Sequence, residues 1–166
     1  MDKQRLVQTA QALVAEGKGI LAADESGGTI KRRFDSINVE STEDSRRNYR
    51  EMLFRTAGVN EFISGVILFD ETIRQDAADG TSMVKVLTDQ GIIPGIKVDK
   101  GTIPLPEAPD ELVTEGLDGL RDRLKEYNEL GAGFTKWRAV ISITGDTPTS
   151  YSLAANAHAL ARFAAL

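Results

Sequence analysis

The sequence predicts an α/β fold with parallel strands, because short apolar segments alternate with amphipathic segments four times along its 166 residues. Alternation of this kind joins parallel strands through right-handed helical crossovers. Two architectures fit the pattern, an open four-stranded sheet and half of an eight-stranded β/α barrel. A complete barrel needs roughly 250 residues, with a lower limit of about 200, and is therefore excluded.

The first half of the chain predicts two strands and two longer helices. Apolar residues at helical spacing predict a helix over residues 6–14, and the apolar run at 19–23 predicts a buried strand. Residues 24–29 are predicted to form a loop. Residues 41–44 supply cap and acidic residues ahead of a second helix. Residues 62–69 are apolar almost throughout, which is typical of a parallel strand covered on both faces.

The second half repeats this order. Residues 83–87 predict a short helix, and residues 92–98 predict a third strand, although Pro94 cannot donate to a strand ladder. A helix is predicted over residues 117–127 and a fourth strand over 133–141. The pattern therefore contains four β/α units.

The end of the chain favours the half barrel over the open sheet. Residues 100–109 hold three of the five prolines and are the most linker-like stretch. A last helix is predicted from about residue 147 to Leu166, and it has no capping glycine or polar tail. Because complete domains rarely end on an apolar helix face, we expect the chain to be cut. The pattern therefore favours half of a β/α barrel.

Composition excludes several classes of function. Twenty basic residues against twenty-five acidic ones give a net charge of -5, which argues against nucleic-acid and anionic-membrane partners. The absence of cysteine excludes disulfide scaffolds, thiolate metal sites and thiol nucleophiles, and the single histidine, His158, argues against a histidine-rich metal site. No apolar run reaches the roughly 20 residues of a membrane helix. The N-terminus lacks a signal-peptide pattern, so we expect a cytoplasmic protein.

Charged side chains fall at the predicted carboxyl ends of three strands, where parallel α/β folds collect functional groups. Asp24 ends the first strand, Lys97 lies in the third, and Lys136 and Arg138 share one side of the fourth. Two lysines and a carboxylate suit an anionic or carbonyl substrate, since a lysine amine can act in carbonyl chemistry. Alternatively, Asp24 caps a helix, Lys97 reaches solvent, and Lys136 forms a structural ion pair.

The loop after the first strand carries groups that favour phosphate. Ser26 and Thr29 flank two glycines, and a basic run that ends at Arg33 follows. Backbone N–H groups, hydroxyls and cations would thus come together. The alternative is an ordinary turn followed by a solvated basic face.

Four segments closely resemble motifs of the class I fructose-bisphosphate aldolases, in the family's order. They are GKGILAADES at residues 17–26, GVILF with Glu71-Thr72 at 65–72, GIKVDKG at 95–101 and FTKWR at 134–138, with further matches at 43–50 and 116–120. The resemblance implies that residues 1–166 are the N-terminal half, the first four β/α units, of a single (β/α)8 barrel domain. It also implies reversible cleavage of fructose 1,6-bisphosphate into dihydroxyacetone phosphate and glyceraldehyde 3-phosphate, a step of glycolysis. It implies a lysine Schiff base with no metal and no cofactor, a phosphorylated sugar as substrate, and a homo-oligomer for full-length members.

The resemblance also assigns roles to individual residues. Asp24 matches a catalytic aspartate that positions and charge-balances the covalent intermediate, and Lys136 a lysine that orients the sugar and stabilises developing charge. Lys97 matches a substrate contact, and Arg138 an arginine near the active site. Residues on the phosphate side of the substrate are implied at Ser26, Thr29, Arg33 and Arg46.

Two parts of the family's catalytic machinery have no match in these residues. The family's acid–base glutamates lie on its fifth strand and its Schiff-base lysine on its sixth. Lys97 and Lys136 cannot replace that nucleophile, because the family places them beside it. We therefore expect the isolated chain to be inactive. The alternative is a non-catalytic half barrel that binds phosphorylated sugars or pairs with a partner chain, and its unpaired edge strands would favour self-association.

Overall fold

The computed structural model describes residues 2–166, over which strands and helices alternate. The elements are α1 (Lys3–Leu13), β1 (Gly19–Ala23), α2 (Gly27–Asp35), α3 (Glu43–Phe54), α4 (Val59–Phe62), β2 (Ile63–Leu68), α5 (Asp70–Ile73), α6 (Met83–Thr88), β3 (Ile93–Lys97), β4 (Thr102–Leu105), β5 (Ala108–Thr114), α7 (Leu120–Glu129), β6 (Phe134–Lys136) and α8 (Ser150–Ala165). They form two compact units. The first runs to Lys97 and includes Tyr127–Thr135, and the second comprises Val98–Glu126 and Lys136–Leu166.

The main sheet has the strand order β1-β2-β3-β6. β1 pairs with β2 and β2 with β3 in parallel, so that Ala23 lies beside Leu68 and Leu68 beside Ile96. Along β6, Gly133 N donates to the carbonyl of Pro94 at 2.8 Å, and further on the carbonyl of Lys136 accepts from Val98 N at 3.1 Å. Both partners advance along the chain, so this pair is parallel as well. The predicted parallel α/β sheet of four strands is confirmed.

Two glycines make room for Phe134 within the first unit. A Cβ on Gly95 would lie 2.5 Å from two carbons of the Phe134 ring, and one on Gly65 would lie 3.1 Å from it. Side chains at either position would therefore displace the ring. The apolar core around the sheet includes Val66, Leu68 and Ile96, which are almost completely buried.

The helix that follows β1 lies where the sequence patterns predict no helix. Residues 24–29 were expected to be a loop, but α2 starts at Gly27, with Ser26 as its N-cap in extended backbone. The amides of Thr29 and Ile30 both donate to the carbonyl of Ser26, at 2.8 and 3.0 Å. The predicted helix at α3 is confirmed, and it begins with a capping box between Thr42 and Ser45.

Two predictions for the second unit are wrong. Residues 100–109 are not a linker: they lie mostly in an antiparallel hairpin in which Thr102 pairs with Thr114. The fourth strand does not reach residue 141 but ends at Lys136, and the carbonyl of Arg138 instead accepts a 2.6 Å hydrogen bond from Thr114 Oγ1. The Arg138 carbonyl is thus bonded by a side chain of the hairpin and not by the backbone of a neighbouring strand.

The last helix packs on this hairpin through its polar face. Asn156 Nδ2 donates to the carbonyl of Leu112 at 3.0 Å. At its N-terminus, the Glu111 carboxylate accepts from both the amide and the hydroxyl of Thr149, at 2.8 and 2.6 Å. The residues of α8 that are buried are Ser152, Asn156 and Ala159. Apolar side chains of the helix, such as Leu153 and Leu160, are exposed.

Candidate active site

The carboxyl edge of the sheet collects the charged residues that the sequence singled out in the first unit. Asp24 directly follows β1, and Lys97 is the last residue of β3; both are half-buried. Since β1, β2 and β3 run in parallel, these two residues lie at the same edge of one sheet. Their catalytic and substrate-binding roles remain predictions.

Lys136 and Arg138 lie in the second unit, on the segment that leaves β6. Lys136 is the last residue of the strand and is half-buried, whereas Arg138 is exposed. The main-chain carbonyl of Lys136 accepts a hydrogen bond from Val98 N, and that of Arg138 accepts one from Thr114 Oγ1. Val98 is held in turn by Arg123 on α7, whose guanidinium donates to the Val98 carbonyl at 3.0 Å.

Beside the ends of β1 and β2, three arginines share two carboxylates; we call Glu25, Arg33, Arg46, Arg50 and Glu71 the arginine cluster. Arg33 Nη1 donates to Glu25 Oε1. Arg46 forms a two-point pair with Glu71, in which Nε donates to Oε2 at 2.8 Å, and its Nη1 donates to the carbonyl of Ser41 at 3.0 Å. Three positive charges face two negative ones, so the cluster carries a surplus of positive charge.

Arg50 lies at the centre of the arginine cluster and is completely buried. Its Nη2 donates to the main-chain carbonyl of Glu25, and its Nη1 to Thr72 Oγ1, both at 2.7 Å. The same guanidinium lies 3.8 Å from the Glu25 carboxylate, 3.5 Å from that of Glu71, and over the ring of Phe69. One buried cation therefore ties the exit of β1 to the exit of β2.

The environments of these groups shift their pKa values in opposite directions. Burial lowers the pKa of Arg50, and the two nearby carboxylates only partly offset this effect. The hydrogen bonds from Arg46 hold the pKa of Glu71 below its ordinary value, and the same pairing raises the pKa of Arg46. Glu71 and Arg46 are thus held ionised as a pair at neutral pH.

The predicted phosphate residues differ in how accessible they are. The side chain of Arg33 is 60% exposed, whereas that of Arg46 is 19% exposed and engaged by Glu71 and Ser41. Ser26 and Thr29 lie at the first turn of α2, with their hydroxyl oxygens 3.2 Å apart. Ser26, Thr29 and Arg33 therefore lie on α2 and its N-cap, although the guanidinium that reaches Thr29 Oγ1, at 3.4 Å, is that of Arg32. Arg46 is held in a separate ion pair on α3.

Sequence reasoning missed three members of this arrangement. Glu25 was passed over beside Asp24, Arg50 lay inside a predicted helix, and Glu71-Thr72 served only as part of a motif. The signal available was position, because Glu25 and Glu71 each follow a predicted strand within three residues. Nothing local indicates that Arg50 is buried, since an arginine in an amphipathic helix is ordinarily exposed.

Residues 2–166 contain neither a group of side chains arranged for a metal ion nor a helix suited to span a membrane. No group of three or more histidine, cysteine or acidic side chains is placed to hold a metal ion within that range. None of the helices described there combines the length and the apolar character needed to cross a bilayer.

Known proteins similar to this chain share one family. The family model for class I fructose-bisphosphate aldolase matches residues 5–166. A probable class 1 fructose-bisphosphate aldolase of Xanthomonas campestris pv. campestris is 60% identical over 166 residues, which are 100% of this chain and 50% of that protein. Fructose-bisphosphate aldolase 1 of Toxoplasma gondii is 55% identical over 165 residues, 98% of this chain and 46% of that protein. The chain thus spans about half the length of the curated relatives it matches.

A solved structure extends the similarity to the fold. The fructose-bisphosphate aldolase of Plasmodium falciparum, crystallised with TRAP and a small-molecule inhibitor, superposes with a TM-score of 0.94 at 52% identity. The superposition covers 97% of this chain and 47% of that one. Together with the parallel four-stranded sheet, it confirms the prediction of a partial barrel. A family model that covers nearly the whole chain and relatives of this identity lead to one conclusion: the chain belongs to the class I fructose-bisphosphate aldolase family.

Proposed function

We propose that this chain is the N-terminal half of a single aldolase barrel domain and supplies part of the substrate pocket for reversible cleavage of fructose 1,6-bisphosphate in glycolysis. The observation that carries the proposal is the placement of Asp24 and Lys97 at the same edge of the sheet, where β1 also leads into Glu25 of the arginine cluster. A carboxylate, an amine and surplus positive charge suit a phosphorylated carbonyl substrate. The name of a cytosolic Arabidopsis thaliana relative supports a cytoplasmic location.

Each residue has a proposed task. Asp24 balances charge beside the covalent intermediate while the carbon–carbon bond breaks, and Lys136 orients the sugar and stabilises developing negative charge. Lys97 and Arg138 contact the substrate. Phosphate is held by Ser26, Thr29 and Arg33, the last of which is largely exposed. Arg46 would have to leave Glu71 before it could bind phosphate, so we expect it to contribute less to phosphate binding than Arg33 does.

The Schiff base is proposed to need a lysine outside these 166 residues. In the family that lysine lies on the sixth barrel strand, and the four parallel strands present here are the counterparts of the first four. Lys97 and Lys136 are neighbours of that nucleophile in the family and do not substitute for it. The isolated chain would therefore bind a sugar phosphate without forming a covalent adduct.

Borohydride trapping tests this proposal. The purified chain is incubated with fructose 1,6-bisphosphate and sodium borohydride, and its intact mass is measured, with a full-length aldolase as the positive control. We expect an adduct on the control and an unchanged mass for the chain. A stoichiometric adduct accompanied by turnover would show that one of its own lysines acts as the nucleophile. Binding is followed in parallel by NMR titration, with Lys97→Ala expected to weaken it.

A second candidate is a half barrel that pairs with another chain instead of acting alone. Exposed apolar side chains favour it: no residue of α1 is buried, and α8 exposes Leu153 and Leu160, seven residues apart on one face. Sedimentation velocity separates the candidates. A concentration-dependent dimer that Leu153→Glu with Leu160→Glu converts to monomer would support pairing. A monomer at all concentrations would contradict it.

A further inference from the structure

Glu25 and Arg33 join a buried carboxylate to an exposed guanidinium. The Glu25 side chain is 6% exposed, and that of Arg33 is 60% exposed. Arg33 Nη1 donates to Glu25 Oε1, and most of the arginine side chain faces solvent. Arg33 is therefore an exposed cation that is already paired with a carboxylate of the protein.

Glu25 lies near a second cation, Arg50. Arg33, in contrast, forms no ion pair other than that with Glu25 among residues 2–166. Arg50 Nη2 lies 3.8 Å from Glu25 Oε2 and donates to the main-chain carbonyl of the same residue at 2.7 Å. Glu25 Oε2 itself accepts no hydrogen bond within the described chain. The carboxylate would thus remain partly neutralised by Arg50 if Arg33 turned away from it.

We propose that Arg33 changes partners, leaving the Glu25 carboxylate for the phosphate group of a bound ligand, so that Glu25 determines the affinity of the phosphate site. This inference rests on the proposed function, because it takes Arg33 as a phosphate ligand. Phosphate competes well for an arginine, since its oxygens match the guanidinium in two-point pairing. The surplus positive charge of the arginine cluster favours the exchange, and Ser26 and Thr29 offer hydroxyl donors on the same helix.

Exchange has a consequence that a purely structural pair would not have. If Glu25 competes with phosphate, removing its charge should tighten phosphate binding. If Glu25 only holds Arg33 in a useful position, removing its charge should weaken binding. The two roles therefore predict opposite signs for the same substitution.

Calorimetric titration of the full 166-residue chain with inorganic phosphate, at about 0.15 M ionic strength, measures that sign. We expect Glu25→Gln to lower the dissociation constant about fivefold, which is the upper end for an ion pair with one exposed partner. The matched control is Asp35→Asn on α2, where Asp35 pairs with the exposed Lys31 at 2.7 Å. It changes the net charge equally, and screening at this salt concentration should keep its effect below about 1.5-fold.

Two further variants keep the test decisive. Glu25→Asp retains the charge next to Arg50 but is one methylene shorter, so it should also tighten binding if Glu25→Gln fails to fold. Arg33→Met should abolish binding in every background. Side-chain NMR of ¹⁵N-labelled arginine gives a direct readout: phosphate and Glu25→Gln should each move the Arg33 signal, while Asp35→Asn should leave it in place.

The outcomes distinguish this inference from the proposed function. Phosphate binding that depends on Arg33 but weakens in Glu25→Gln and Glu25→Asp would overturn the exchange and leave the phosphate site intact. If phosphate binding tightened equally in Glu25→Gln and Asp35→Asn, the change in net charge alone would explain the effect, and the exchange would also be overturned. An absence of binding in every variant would overturn both.

Discussion

Replacing Arg50 by methionine should lower the free energy of unfolding by about 3–5 kcal/mol, the range for removing one partner from a buried ion pair. Methionine fills much of the same volume but donates no hydrogen bond. The guanidinium of Arg50 donates at 2.7 Å to the carbonyl of Glu25 and to Thr72 Oγ1, and all three residues are buried. Each acceptor left without its donor costs about 1–3 kcal/mol.

The charges contribute less than the hydrogen bonds do. Glu25 would keep Arg33 as a partner, and Glu71 would keep its two-point pair with Arg46. Removing Arg50 also removes the cost of burying its charge, the same desolvation that lowers its pKa. These effects partly cancel, so the expected loss is a few kcal/mol and not the full attraction between the ions.

Urea denaturation followed by circular dichroism measures the loss of unfolding free energy. The slope of that free energy against urea concentration should be the same for the variant and the original chain, which indicates that both unfold in the same way. The matched control is Arg47→Met on the same helix. Arg47 lies 3.5 Å from Asp44, whose side chain is 81% exposed, so its removal should cost less than about 0.5 kcal/mol. A loss below about 1 kcal/mol for Arg50→Met, or equal losses for both variants, would refute the reasoning.

Two other predictions concern packing and acid stability. Gly95→Ala would set a Cβ in steric overlap with the Phe134 ring and should cost about 1–3 kcal/mol of unfolding free energy. Gly19→Ala, where the added Cβ has no atom within 4 Å, should leave the thermal midpoint nearly unchanged, and equal shifts for the two variants would contradict this account. Hydrogen bonds from Thr149 lower the pKa of Glu111, so its contribution to stability is complete above the unfolded pKa of about 4.3 and disappears as pH falls through the lower folded value. Glu111→Gln should therefore reduce the loss of stability in acid, measured as urea midpoints from pH 7 to pH 3, and an unaltered acid limb would argue against it.

Local patterns were enough to predict the fold class and much of the candidate site. The apolar runs at β2 and β3 identify buried parallel strands because both faces of such strands must be covered. The apolar run at β1 identifies a strand as well, but the prediction that it is buried is wrong, since Gly19, Ile20 and Ala22 are exposed. Parallel strands end at one edge, so Asp24 and Lys97 could be placed together from their positions in the sequence alone. The long motifs pointed to the family, and the comparisons confirm it.

The remaining features depend on contacts between residues far apart in the chain. The hairpin of β4 and β5 appeared in the sequence as a proline-rich linker, because antiparallel pairing is decided by the partner strand. Beyond the end of β6 at Lys136, the carbonyl of Arg138 accepts a hydrogen bond from Thr114, a residue 24 positions away in the chain.

The sequence by itself determined an α/β chain with charged residues at its strand ends. Only the tertiary structure decided which of those charges are buried, paired or open to a ligand. Arg33, Arg46 and Arg50 are alike as sequence letters, yet one is exposed, one is held by a carboxylate, and one is completely buried. The physical reason is that ion pairing and burial depend on neighbours that folding brings together: Arg50 meets Glu25 and Thr72 across more than twenty residues in each direction.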